Sequence, residues 1–280
     1  MSNIITAIIN IISSQTLPDR VSSNNRANQM GEALEEYVKD IFANTQGEKD
    51  ESIRNNKFEQ TFSYLGNQNN PPDLMLINGG DAVEVKKIES FSSALALNSS
   101  YPKEKLYSNS TLINNACRTC EEWEERDMLY VVGVVKNGQI KAMALVYGED
   151  YCASKEIYER IKNKIKDGIN EIHGVEFAVT NELGRVNRVD PLGITYLRVR
   201  GMWHIENPFT VFNYVYKLDT SKSFNLMAIL NKEKIRKTED YQRIIELSKK
   251  NKCIEVKDIE IKDPNNPAKL KDAVLITYSI

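Results

Sequence analysis

At 280 residues the chain can form one large domain or two small ones, with ample apolar material for a buried core. Hydrophobic content of 41% and charged content of 27% fit a soluble globular protein and exclude a disordered or collagen-like chain. A formal net charge of −2 argues against indiscriminate coating of nucleic acid, yet leaves room for a local basic groove.

The first apolar run, Ile4 to Ile12, is interrupted by Thr6 and Asn10 and is too short to span a bilayer. It has no basic leader or small-residue cleavage site, so it reads as an amphipathic packing or dimer helix of a cytoplasmic protein. Residues 27–43 form a predicted helix, with Met30, Leu34, Tyr37, Val38, Ile41 and Phe42 as its apolar stripe. A strand is expected over Phe58–Leu65, then a hairpin with arms 72–78 and 81–88 around Asn78-Gly79. A polar stretch from Asn98 to Ser110 leads to a predicted helix at 111–126. Met128–Val135 reads as a buried strand, and Asn137-Gly138 turns it back through Ile140–Tyr147.

Ser154–Ile172 has isoleucines at 157, 161, 165 and 169, a helical spacing. Strands follow at Val175–Val179 and Ile194–Val199, and Asn207-Pro208 caps a further helix. After Asp219 the pattern predicts two helices, then strands near 253–262 and 273–279. The expected fold is α/β, with residues 1–217 as the main domain and 218–280 as a C-terminal subdomain packed on the same core.

Four cysteines do not make a disulfide framework. Cys117 and Cys120 form one Cys-x-x-Cys, but they fall on the helical stripe of Leu112, Ile113, Ala116 and Trp123, and no second pair completes a zinc set.

Chemistry concentrates at the first hairpin. With Asn78-Gly79 as a two-residue loop, Ile77 pairs with Gly80, and counting back pairs Asp73 with Glu84. Directly paired side chains share a face about 5 Å apart, and Lys86 lies two residues from Glu84 on that same face. Two carboxylates so placed can hold Mg²⁺ against a phosphate, since this ion keeps several waters. Lys86 would orient the attacking water, help deprotonate it, or offset charge in the transition state. The pattern alone is weak: Glu-x-Lys recurs at Glu255 and Glu260.

Helix, three strands, helix, strand is the predicted order from 27 to 135, with the acids on the second and third strands. This resembles the PD-(D/E)xK nuclease core, whose motif residues would be Asp73, Glu84 and Lys86. Gly31-Glu32-Ala33-Leu34-Glu35 fits the superfamily's Gly-x-x-x-Glu pattern, which makes Glu35 either a further metal ligand or part of the helix's wet face. More specific blocks are Asn24–Gly31, Asn70–Asp73, Asp81–Ser90, Leu183–Pro191 and Tyr196–Trp203, which together resemble the NgoPII-type restriction endonucleases. The C-terminal third matches less clearly.

That resemblance implies a Mg²⁺-dependent type II deoxyribonuclease that cuts both strands of duplex DNA at GGCC and leaves 5′-phosphate ends. A palindrome implies a symmetric homodimer, and host protection implies a cognate methyltransferase acting on the same site without a stable complex. Rivals are a repair or structure-selective nuclease of the same superfamily and a non-catalytic DNA reader.

Arg185, Arg188, Arg198 and Arg200 crowd one interval, joined by Asn187 and Asp190. Arg198 and Arg200, two apart on a predicted strand, would project from one face. Arginine bonds guanine O6 and N7 in the major groove, and Asp190 could accept from cytosine N4. The same arginines could instead pair with surface carboxylates or touch phosphate. Lys103 and Lys105 lie in a segment rich in phosphate-binding donors that also reads as an ordinary polar loop. Asn25 and Arg26 could reach a groove edge or cap the first long helix.

Overall fold

A computed structural model of the chain describes residues 3–17, 26–67, 70–173, 176–177, 183–236 and 239–280. Helix α1 (Ile4–Ser13) begins where Asn3 accepts hydrogen bonds from the Ile5 and Thr6 backbones at 2.9 and 3.1 Å. Its isoleucines at 4, 5, 8, 9 and 11 are all buried within the chain, so α1 is a packing helix. It packs on α2 (Arg26–Ala43), whose stripe of Leu34, Tyr37, Val38, Ile41 and Phe42 is buried as the periodicity predicts. Asp50 caps α3 (Glu51–Glu59), a helix that overlaps the strand expected from Phe58. Phe58 is buried at the end of this helix, and β1 (Phe62–Asn67) starts only beyond it.

The catalytic-candidate hairpin consists of β2 (Asn70–Leu76) and β3 (Ala82–Ile88). Asn78 and Gly79 both take positive φ, 56° and 79°, as a type I′ turn requires. Strands β4 (Leu95–Asn98) and β5 (Lys105–Tyr107) and the one-turn helix α4 (Asn115–Arg118) follow. The helix expected over 111–126 is therefore only one turn long. Ile113 and Cys117 are buried in the core, but Glu125 already opens β6 (Glu125–Lys136), where β5 pairs with it. Strand β7 (Gln139–Tyr147) returns through Asn137 and Gly138, again at positive φ.

Helices α5 (Gly148–Tyr151) and α6 (Lys155–Asn170) precede a small sheet of β8 (Glu176–Phe177), β9 (Gly184–Asn187) and β10 (Leu197–Val199). The remainder of the strand expected over Val175–Val179 lies outside the described residues. Strand β11 (Trp203–Ile205) pairs with β4, and Asn207 caps α7 (Pro208–Val211). Next comes β12 (Asn225–Asn231), where the sequence predicts a helix. A short apolar run does not distinguish a buried helix from a central strand. Here every residue from 225 to 230 is buried, because β12 lies between β7 and β14. Helices α8 (Lys232–Ile235) and α9 (Glu239–Lys250) lead to the hairpin of β13 (Ile254–Asp263) and β14 (Asn266–Ser279).

The large mixed sheet runs β1-β2-β3-β6-β7-β12-β14-β13, with β3–β6 and β7–β12 parallel. Leu129 and Val131 of β6 face the layer of α1, α2 and α9, while Met128, Tyr130, Val132 and Val134 face the other core, built with β4, β5 and the short helices. Alternation along β3 sends Val83 and Val85 to the helical layer, which leaves Glu84 and Lys86 on the opposite face.

A buried ion pair holds the tip of the hairpin. Arg126 donates to the Gly80 carbonyl at 2.8 Å and to Glu121, and Glu121 accepts the Asn78 backbone N–H at 2.8 Å. Glu121→Ala would strand a guanidinium that is 2% exposed and should cost about 3 kcal/mol in urea unfolding. A loss below about 1 kcal/mol would show that the turn does not depend on this pair.

Asp81, next to that turn, accepts a hydrogen bond from Tyr147 Oη at 3.0 Å. Burial, with repulsion from Asp127, pushes its carboxyl up to about 6, against the opposing pull of Lys234 and Arg126. A raised folded-state value means the native protein binds this proton more tightly, so stability falls as pH rises from about 4 through about 6. Asp81→Asn should therefore gain stability relative to the parent across that window, by up to roughly 3 kcal/mol. A difference that stays flat between pH 4 and 7 would show Asp81 titrating as an ordinary surface carboxylate.

Candidate active site

The register of the hairpin is the one that the turn arithmetic requires. Leu74 pairs with Val83 and Met75 with Ala82, so Asp73 stands opposite Glu84. The ladder stops there because Asp73 intervenes: its Oδ2 accepts the Val85 backbone N–H at 2.6 Å. The carboxylate thus takes a bond that a backbone carbonyl would otherwise accept. Lys86 Nζ donates to Glu84 Oε1 at 2.6 Å. The other oxygen, Glu84 Oε2, is buried and has no hydrogen-bond partner.

The electrostatics are those of an acid pair forced together. Burial and the charge of Glu84 push the Asp73 carboxyl well above the usual range, against the pull of Lys86. Burial alone would lower the Lys86 ammonium, but Glu84 and Asp73 outweigh it and hold the pKa above the ordinary value. Lys86 thus stays charged. Burial also raises the Glu35 carboxyl, with Lys39 and Lys86 opposing and Glu84 adding to the rise. Glu35 comes from α2, on the opposite face of the sheet, close enough to feel this cluster.

Among the described residues no three His, Cys, Asp or Glu side chains converge to hold a metal ion by themselves. The fit to Mg²⁺ rests instead on the spare buried oxygen of Glu84 beside Asp73. An ion that keeps most of its waters and takes further ligands from a phosphate needs no more than one or two protein carboxylates.

The remaining candidate residues separate into two places. Lys103 lies beside the cluster, its backbone N–H donating to Tyr130 Oη at 2.8 Å. Lys105 sits on β5 and pairs with Glu125. On the small sheet, Arg185 of β9 stands directly opposite Arg198 of β10, and its guanidinium lies 5.5 Å from the Tyr196 ring centroid. Strand β10 ends at Val199, so Arg200 lies past its end, and the neighbour of Arg198 across the small sheet is Arg185. Asn187 ends β9, and Arg188 follows at φ 49° with Nε 3.4 Å from Glu176.

Asp190 is occupied by its own loop: it accepts the Leu192 and Thr195 N–H groups at 3.0 and 2.6 Å. The Thr195 bonds hold its carboxyl below the usual range. Asn25 lies outside the described residues, and Arg26 is the first residue of α2. The sequence reading missed Tyr130. A tyrosine inside the run Met128–Val135 was its one signal, because a buried hydroxyl requires a partner.

The mixed sheet presents two acids and a lysine on adjacent hairpin strands, a set of groups that could hold a divalent ion against a phosphate. The chain belongs to the NgoPII restriction endonuclease family, whose family model matches residues 2–262. It is 53% identical over 281 aligned positions to the type II restriction enzyme NgoPII of Neisseria gonorrhoeae, covering 99% of this chain and 100% of that protein. No solved structure matches it. Among the described residues no helix is long and apolar enough to cross a membrane.

Proposed function

We propose that this chain is a type II restriction endonuclease of the PD-(D/E)xK class that hydrolyses both strands of duplex DNA at a short palindrome, GGCC, with Mg²⁺. The observation that carries this reading is the spare buried oxygen of Glu84, held beside Asp73 and Lys86 by the hairpin register. Asp73 and Glu84 would hold the ion, and Glu35 adds a third negative charge behind them. When bound, Mg²⁺ neutralises phosphate charge and makes a nearby water more acidic.

Lys86, hydrogen-bonded to Glu84, would orient the attacking water, help deprotonate it, or offset charge in the transition state. Attack by water at phosphorus with departure of the 3′ oxygen leaves a 5′-phosphate and a 3′-hydroxyl. A palindromic site calls for two equivalent active sites, hence a homodimer. A methyltransferase modifying the same sequence would protect the host. The exposed arginines of β9 and β10 are the proposed base-reading surface, with Asp190 shaping its loop.

Incubation with plasmid DNA and Mg²⁺ tests the reading. Discrete fragments with 5′-phosphates at one short sequence are expected, and the active species should sediment at twice the chain mass. Asp73→Asn and Lys86→Ala should abolish cutting while specific binding persists. Ragged or junction-dependent products would point to a repair nuclease, and bound but intact DNA to a reader without catalysis. Either variant cutting at the parental rate would place the active site elsewhere.

Arg198→Ala should weaken binding to the cognate duplex by about 1–3 kcal/mol more than binding to random duplex. Equal losses on both duplexes would make Arg198 a phosphate contact.

A further inference from the structure

Lys103 and Lys105 are two residues apart yet differ in surroundings. Lys105 has a carboxylate partner in Glu125. Lys103 has none: no ion pair among the described residues includes it. Its ammonium donates to Ser100 Oγ and lies 3.5 Å from the Tyr101 carbonyl oxygen. Its backbone is fixed by Tyr130, the β6 residue that pairs with Glu84 of β3. Paired residues share a face, so the loop carrying Lys103 lies over the side of the sheet that displays Glu84 and Lys86.

Burial lowers the Lys103 ammonium to about 8, and Glu84 is the strongest charge opposing that fall.

An ammonium removed from water without a counter-charge is costly, and such a group persists where an anionic ligand arrives to complete it. The nearby carboxylate does not serve: Glu84 Oε1 accepts from Lys86, and no hydrogen bond or ion pair joins Lys103 to Oε2. A phosphate can, since it presents two free oxygens to donors on either side.

We propose that Lys103 is a second catalytic ammonium, donating to a non-bridging oxygen of the scissile phosphodiester. This rests on the nuclease reading of the Asp73, Glu84 and Lys86 cluster. In the step it assists, water forms the new P–O bond and releases its proton to solvent. The P–O3′ bond breaks, its electron pair leaves on the 3′ oxygen, and that oxygen takes a proton from solvent. Lys103 keeps its own proton and offsets the charge that grows on the phosphoryl oxygens.

The test compares the full-length protein with its Lys103→Met and Lys103→Arg variants on a GGCC duplex. Single-turnover cleavage with Mg²⁺ should fall about 10²-fold or more in Lys103→Met, and Lys103→Arg should recover part of that loss. Duplex binding without divalent ion should show a salt dependence shallower by about one phosphate contact in Lys103→Met. Its melting temperature should be no lower than the parent's, because a part-buried ammonium with no carboxylate partner has been removed.

A parent that cuts while Lys103→Met cuts equally well would overturn the role of Lys103 and leave Asp73 and Glu84 in place. Slow cutting accompanied by a lower melting temperature and an unchanged salt dependence would also overturn it, making Lys103 structural.

Discussion

The hydrogen bond from the Val85 backbone to the Asp73 carboxylate depends on a single register, and the candidate site depends on that bond. A slip of one residue would move Leu74 and Val83 out of the helical core and drive Asp73 and Glu84 into it. Apolar burial on one face therefore enforces proximity of like charges on the other. Burial first, and then the charge of Glu84, raise the Asp73 carboxyl, and the Lys86 ammonium only partly relieves this. The hydrophobic face supplies the free energy that holds these like charges together.

The turn carries more information than its two residues suggest. Asn78-Gly79 specifies a type I′ geometry, and Arg126 and Glu121 then clamp it from outside the hairpin. Both hairpins and the first long helix were legible in the sequence, because local turn chemistry and periodicity agree there with the tertiary packing. The segment 111–126 shows the opposite case. Its apolar residues are spaced like a helix, but they serve different neighbours: Cys117 Sγ lies 3.4 Å from Met75 Sδ, whereas Trp123 packs under the Arg126 guanidinium. Periodicity records that residues are apolar, not that they share one partner.

The same limit explains the strand at 225–231 and the arginine surface. A continuous apolar run became a central strand because the edge of β7 and the returning β14 both needed a neighbour, a demand set by residues far away in the chain. Residues beyond 218 thus build the interior of the same sheet. Along the arginine segment, spacing within one strand suggested Arg198 with Arg200, whereas cross-strand pairing joined Arg198 to Arg185. Asp190 resembles a base contact when read alone, yet the backbone of its own loop takes both carboxylate oxygens.

The lysines divide by what satisfies their charge, and this arises only in three dimensions. Lys86 is balanced by Glu84, Lys105 by Glu125, and Lys234 by Asp127 and Glu149. In each case removing the lysine would leave a carboxylate in want of a cation. Lys103 is different, because its acceptors are a hydroxyl and a carbonyl that carry no net charge. Nothing in the alternation of Lys103, Glu104 and Lys105 distinguishes the first lysine from the third. The distinction comes from Tyr130, whose hydroxyl draws the loop down onto the face that the hairpin register has made acidic. An isolated positive charge beside a paired one is a poor arrangement for stability alone. It becomes a favourable one when a phosphate with two free oxygens enters between them.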